Sequence, residues 1–267
     1  QQAPDVRISQ VVPLQRGTAG AFPPSPENRG ALILTGNSGI EFTDKTGYNV
    51  KNGQRLISQE DSVMRIIDIS NDVLSAEVYE GDPVPELISL ASLKNGDRYN
   101  LNAVNMGLHN GTHMDAPLHF IDGADGIDKV KPDAFIGPCT VLEVSPGIIT
   151  GSVVEEYFPR RAERILLKSG GRAFIHRSAA DAMAYFGYKL VGTDGLDVEP
   201  PQSENYETHK ALLGQNIAVL EGLDLSDVAN GEYFLIAPPL KIESAEASPV
   251  RAMLITDYVF WSGKPEA

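Results

Sequence analysis

The run His109-Asn-Gly-Thr-His-Met-Asp-Ala-Pro-Leu-His119 holds three of the chain's five histidines and an aspartate within eleven residues. Imidazole nitrogen and carboxylate oxygen suit Zn²⁺, Mn²⁺ and similar ions as ligands. His109 and His113 are four apart, Asp115 follows two on, and His119 four after that. A helix would place His109 and His113 on one face. However, Asn110-Gly111 is a turn dipeptide and Pro117 follows closely, so the stretch reads as a tight loop. Gly111 would let the backbone approach an ion. The competing reading is a set of exposed or internally satisfied histidines. Their concentration in a chain so poor in histidine favours metal.

Three ligands from one loop leave coordination positions open, which is the style of a catalytic site. Structural zinc sites are closed by four protein ligands, commonly with Cys, and this chain has only Cys139. Further ligands must come from elsewhere, and two residues stand out. His209 lies in Tyr206-Glu-Thr-His-Lys-Ala-Leu-Leu213. Glu221 ends the apolar run Ile217-Ala-Val-Leu220, where a carboxylate is costly unless paired or bound to an ion. Spacing alone leaves both open. There is no G-x-S-x-G, H-E-x-x-H, P-loop or G-x-G-x-x-G. Cys139 reads as a packed strand residue, and His176 as a surface or supporting residue ahead of a helix.

The elements that must position these residues belong to an α/β chain of mixed order. Strands are expected at Arg65–Ser70, Tyr99–Met106, Cys139–Val144, Arg164–Lys168, Lys189–Thr193, Asn216–Glu221, Glu232–Ala237 and Val250–Ile255. Ser178 is the expected N-cap of a helix to Tyr188, with Asp181 three residues on. Glu204–Leu213 is a second, shorter helix candidate. Residues 1–63 differ: they carry six basic and six acidic residues, no histidine and several turn signals, with short apolar pieces such as Ala31–Leu34. We read residues 1–63 as an N-terminal appended segment of unknown role, and 64–267 as the catalytic domain.

The chain has 267 residues, 42% hydrophobic and 22% charged, the composition of an ordinary globular protein. A net charge of −14 would repel a phosphate backbone, so nucleic acid is not an expected partner. No apolar run approaches the roughly 18–20 residues that span a membrane. One cysteine gives no disulfide framework and points to a reducing, cytoplasmic setting. The start at Gln1 is also compatible with a leader removed before it.

The run His109–His119 resembles the H-x-G-T/A-H-x-D-x-P-x-H signature of the cyclase-like metal-dependent hydrolases, the family of bacterial kynurenine formamidase and isatin hydrolase. Ile67-Asp-Ile-Ser70, Val78-Tyr-Glu-Gly-Asp-Pro83, Ile136-Gly-Pro-Cys139 and Leu190-Val-Gly-Thr-Asp194 fall in the family's order. So do Leu220-Glu-Gly-Leu223, Leu235-Ile-Ala-Pro-Pro-Leu240 and Ser248-Pro-Val-Arg251. The resemblance covers Met64 to about Ile255 and implies a swivelling β/β/α domain with a mixed sheet and flanking helices. It also implies a homodimer or homotetramer and one or two divalent ions, Zn or Mn.

By position, the resemblance makes His109, His113 and Asp115 ligands of a first metal, with Asp115 as a possible bridge. His209 and Glu221 match a second-metal pair. His119 matches the acid/base and joins Glu221 in the catalytic set. The implied activity is hydrolysis of a small-molecule amide, of arylformamidase type. Alternatives are a promiscuous carboxylesterase, a cyclic-amide or lactone hydrolase, and a metal-binding protein without turnover. Some positions depart from the formamidase pattern. Glu80 replaces a common Pro, and Tyr79 stands where many members have Trp. Asp194-Gly-Leu-Asp197 replaces a run carrying a substrate-facing serine. These put N-formylkynurenine itself in doubt. Tyr79, Phe120, Phe135 and Trp261 are candidate aromatic liners, with Tyr79 and Phe120 the first choices for substrate binding.

Overall fold

Alternating apolar residues on the central strands build two cores, one on each face of a nine-stranded sheet. The computed structural model describes residues 64–257, together with the backbone of four short strands between residues 32 and 55. Those four, Leu32–Ile33, Glu41–Thr43, Asn49–Lys51 and Gln54–Arg55, form an antiparallel meander. Backbone contacts separate Val12–Arg65 from a larger unit that includes Ile66–Ala267. Strands and helices of the larger unit are numbered from Ile66. Trp261 lies outside the described residues.

The strands are β1 (Ile66–Asp68), β2 (Glu86–Ala91), β3 (Leu101–Asn105), β4 (His113–Asp115) and β5 (Ile136–Glu143). Next come β6 (Gly147–Ile149), β7 (Arg164–Lys168), β8 (Ala173–Ile175) and β9 (Leu190–Thr193). The last are β10 (Ala218–Glu221), β11 (Gly231–Ile236), β12 (Ala247–Pro249) and β13 (Met253–Ile255). The large sheet runs β12-β4-β10-β9-β7-β5-β11-β13-β1. Its centre, β10, β9, β7 and β5, is parallel, and the flanking strands are antiparallel. Parallel strands are buried on both faces, which explains their near-continuous apolar runs.

β7 shows how the faces divide. Ile165 and Leu167 join Val191, Val219 and Leu212 in one core, whereas Leu166 joins Met114, Leu220 and Leu235 in the other. The first core is covered by α2 (Gly151–Tyr157), α3 (Arg177–Phe186) and α4 (Glu207–Gly214). The short α1 (Pro132–Phe135) leads into β5 and carries Phe135 into the second core. No described helix is long and apolar enough to cross a membrane.

The expected strands are present with shifted ends, and other elements differ. The helix after His176 starts at Arg177, and its N-cap is His176, whose Nδ1 accepts from the Ser178 N–H. The Ser178 hydroxyl instead accepts from the Gly151 N–H and so ties α3 to α2. α4 begins at Glu207 rather than Glu204 because Tyr206 is left-handed, at φ 50°. The hairpin β2–β3 leaves Leu87, Leu90, Leu101 and Val104 largely exposed. β2 carries no burial pattern that sequence periodicity would reveal.

Candidate metal centre and active site

The loop expected for the histidine run is only partly a loop. His109 sits on a turn, but His113-Met114-Asp115 forms β4, paired with β10 on one side and β12 on the other. Strand alternation sends Met114 into one core and turns His113 and Asp115 to the opposite face. That burial pattern converts a turn-rich segment into a strand. Glu221 lies directly across from His113, on the same face as Val219. α4 covers this face through Leu212 and Leu213 and thereby delivers His209. Pro117–His119 is a short 3₁₀ turn that places His119 beside the cluster.

The preceding turn is held very close to the end of β10. Gly222 is left-handed, at φ 66°, and a Cβ on it would stand 2.5 Å from the Gly111 carbonyl oxygen. The Thr112 hydroxyl donates to the Gly222 carbonyl at 2.5 Å, and the Asn71 side chain donates to the same carbonyl at 2.9 Å. A side chain at Gly222 would push His113 away from Glu221.

Two donor groups share one aspartate: His109, His113 and Asp115, and Asp115, His209 and Glu221. Asp115 is 1% exposed, and neither of its oxygens has a hydrogen-bond partner. Yet Oδ1 lies 3.2 Å from His109 Nδ1 and 3.6 Å from His113 Nε2, and Oδ2 lies 3.7 Å from His209 Nε2. Three imidazole nitrogens thus converge on this carboxylate outside hydrogen-bond geometry. Leaving a buried carboxylate unpaired is costly, and a divalent ion resolves that cost with these donors. The residues fit such an ion.

Two rings are oriented from behind. His113 Nδ1 donates to the Gly111 carbonyl at 3.0 Å, which leaves Nε2 facing Asp115 and Glu221. His209 Nδ1 donates to Glu199 Oε2 at 3.0 Å, which leaves its Nε2 facing Asp115 and Glu221. A carboxylate behind a histidine fixes its tautomer and raises its basicity toward a metal. Glu199 also accepts from the backbone N–H of Thr208 and His209 and from the Ser203 hydroxyl. It therefore clamps the start of α4.

Charge and burial act on His113, His209, Glu221, Glu199, His119 and Asp197. Burial alone would depress His113, but Glu221 and Asp115 override it and raise the imidazole to about 9. His209 is buried too, and Glu199 and Glu221 hold it well above its ordinary value. Burial opposes ionisation of Glu221 and Glu199, yet hydrogen bonds from His113 and His209 hold Glu221 far below the usual carboxylate range. His209, Ser203 and backbone N–H groups bring Glu199 to about 2. His119 lacks such a partner, and burial lowers it. Burial and then the Glu221 charge push Asp197 up to about 6.

His109, His113, His119, His209 and Glu221 line a cavity of about 250 Å³. His119 lies over His109 at 4.2 Å between ring centroids, with Phe120 4.1 Å away. Phe120 stacks on Tyr206 at 4.8 Å and reaches His209 at 4.7 Å. Tyr79 is among the lining residues. Phe135 is not; it is a core residue. Cys139 is buried, and burial pushes its thiol up to about 12, which makes it no nucleophile. Sequence reasoning missed Glu199, Asp82, Asp197 as a liner, and Tyr206. Glu199 had one signal, a carboxylate directly after buried Val198, the same signal that singled out Glu221.

The Cyclase family model matches residues 67–200. Kynurenine formamidase from Sphingopyxis alaskensis is 38% identical over 206 residues, covering 71% of this chain and 97% of that protein. The kynurenine formamidase of Delftia acidovorans is 36% identical over 205 residues, with the same coverage. Isatin hydrolase A from Labrenzia aggregata shares the fold, with a TM-score of 0.64 at 20% identity, covering 73% of this chain and 94% of that one. The chain is a member of the Cyclase family, with the mixed α/β fold of the cyclase-like metal-dependent hydrolases.

Proposed function

We propose that this chain is a metal-dependent hydrolase of an acyl C–N bond, of arylformamidase type. The observation that carries the reading is Asp115, a buried carboxylate without a hydrogen-bond partner at the meeting point of two donor groups. His109, His113 and Asp115 would hold one divalent ion, Zn or Mn, and Asp115, His209 and Glu221 a second. An ion bound there supplies Lewis-acid polarisation of an acyl carbonyl and activation of water near neutral pH.

The chain's own residues supply the rest. His113 and His209 are aimed by the Gly111 carbonyl and Glu199. Phe120, Leu196 and Tyr206 line the cavity beside them. His119 is half-buried, stands beside His109 and is held neutral by burial, so it can accept a proton and return it to the departing amine. The relatives named kynurenine formamidase support amide cleavage. We take residues from Met64 onward as the catalytic unit and residues 1–63 as appended. The exposed apolar residues of β2–β3 support a homo-oligomer.

An amine leaving group needs a proton more than an activated phenol does. His119→Ala should therefore lower kcat on a formanilide about 10²- to 10⁴-fold, and on p-nitrophenyl acetate much less. Equal losses on both would contradict the role. Absence of turnover on any acyl substrate by the metal-loaded protein would make it a metal-binding protein.

A further inference from the structure

We infer that Glu246 is the positioning residue for His109: its carboxylate holds the imidazole proton on Nε2 and so presents Nδ1 as the ligand atom of the first donor group. The inference rests on the two-metal reading proposed above and concerns a residue outside both donor groups.

The three histidines of those groups differ in what stands behind them. His113 Nδ1 donates to the Gly111 carbonyl and His209 Nδ1 to Glu199, so each of these rings offers Nε2 to the cluster. His109 is turned the other way. Its Nδ1 lies 3.2 Å from Asp115 Oδ1, and its Nε2 lies 3.6 Å from Glu246 Oε1. At that distance the second contact is one of charge rather than a hydrogen bond. It still acts on the tautomer. A carboxylate beside one ring nitrogen favours the proton there and frees the lone pair of the other nitrogen for an ion. Among the described residues, Glu246 is the one carboxylate within ion-pair distance of His109 Nε2.

The backbone fixes Glu246 in this place. The Ala245 carbonyl accepts from the Ile127 N–H at 2.8 Å, and the Glu246 carbonyl accepts from the Ala116 N–H at 2.9 Å. Ala247 then opens β12, directly across from Asp115. A Cβ on Gly126 would stand 2.9 Å from the Ala245 carbonyl oxygen, so the two segments meet closely. These main-chain bonds survive any change of the Glu246 side chain. Its charge can therefore be removed without removing the support it stands on. The Glu246 side chain is 42% exposed, whereas that of Glu199 is 4% exposed. Solvent and salt screen an exposed charge, which puts the expected effect at the low end for a group behind a ligand.

The test is a Zn²⁺ titration in competition with a chromogenic chelator. It is run on the full chain and on His209→Ala, which leaves the first donor group intact. Glu246→Gln keeps the shape of the side chain and removes its charge. First-site affinity should fall about tenfold in Glu246→Gln and Glu246→Ala, in both backgrounds, with the second site of the full chain unchanged. Glu246→Asp keeps the charge and should recover part of the loss. Raising the ionic strength should narrow the gap between the native chain and Glu246→Gln. Circular dichroism of the metal-free proteins should show one fold throughout. Unaltered first-site affinity, a loss in Glu246→Ala that Glu246→Gln does not share, or a loss at the second site instead would overturn the inference. In each of those cases two ions still bind and the hydrolase reading stands. A native chain that takes up no Zn²⁺ would end both.

Discussion

Two buried charged clusters sit at different places on the same sheet, and they are finished differently. At the start of β7, the guanidinium of Arg164 is 2% exposed and fully engaged. It donates to the carbonyls of Ala134 at 2.8 Å, Pro138 at 3.1 Å and Asp133, and to Glu163 at 3.2 Å. It staples α1 to β5, and Gly137 makes room, since a Cβ there would stand 2.5 Å from Nη1. At β4, Asp115 is as deeply buried, but its oxygens have no such partners. One cluster is completed by the chain itself. The other is left open at a point where nitrogen and oxygen donors converge. Burial of charge alone thus does not mark a functional site; the unpaired member does.

The contrast can be broken from either side. Arg164→Ala strands three carbonyls and should cost about 3 kcal/mol or more of stability, read by chemical denaturation, while metal bound per folded molecule stays the same. Loss of metal without loss of stability would erase the distinction. Asp115→Asn should do the opposite. Activity should fall about a hundredfold or more, since loss of a ligand exceeds loss of a supporting group. Metal-free stability should change little, because Glu221 and Glu199 still pair with His113 and His209. A large destabilisation would make Asp115 structural.

A smaller effect is expected one step behind the ligands. Glu199→Gln should weaken metal binding about 10- to 100-fold, seen as a shift in a metal titration with the fold intact by circular dichroism. An unchanged titration would reduce Glu199 to a cap of α4. The smallest effect is a pH dependence. His113, raised to about 9, and His209, raised above its ordinary value, take up protons on folding without metal. Their stabilisation is full below their unfolded value of 6.5 and is lost as pH rises toward about 9. His119, depressed by burial, acts with the opposite sign and only below 6.5. Thermal melts of the metal-free protein should therefore fall across that alkaline window, and added metal should flatten the fall. A metal-free melt that rises with pH would contradict it.

How far the sequence could be read follows the same physics. His109, His113, Asp115 and His119 were legible because their chemistry is concentrated in eleven residues. The central strands were legible because burial on both faces writes continuous apolar runs, as in Arg164–Lys168. β4 was not, since three residues show no period and the Asn110-Gly111 turn dominates them. The His176 cap was hidden because a serine two residues on is the commoner cap. Glu199 was hidden because its link to His209 exists only once α4 is set by a left-handed Tyr206. Asp197 was seen only as a departure from a family pattern; its place in the cavity wall exists only in the fold.

The central claim is that the open cluster is a ligand set hinged on Asp115. Metal content per chain, measured after equilibration with Zn²⁺ or Mn²⁺ and removal of free ion, tests it most directly. The account predicts two ions in the native chain, one in His209→Ala and none in Asp115→Asn. Occupancy untouched by both substitutions would contradict it.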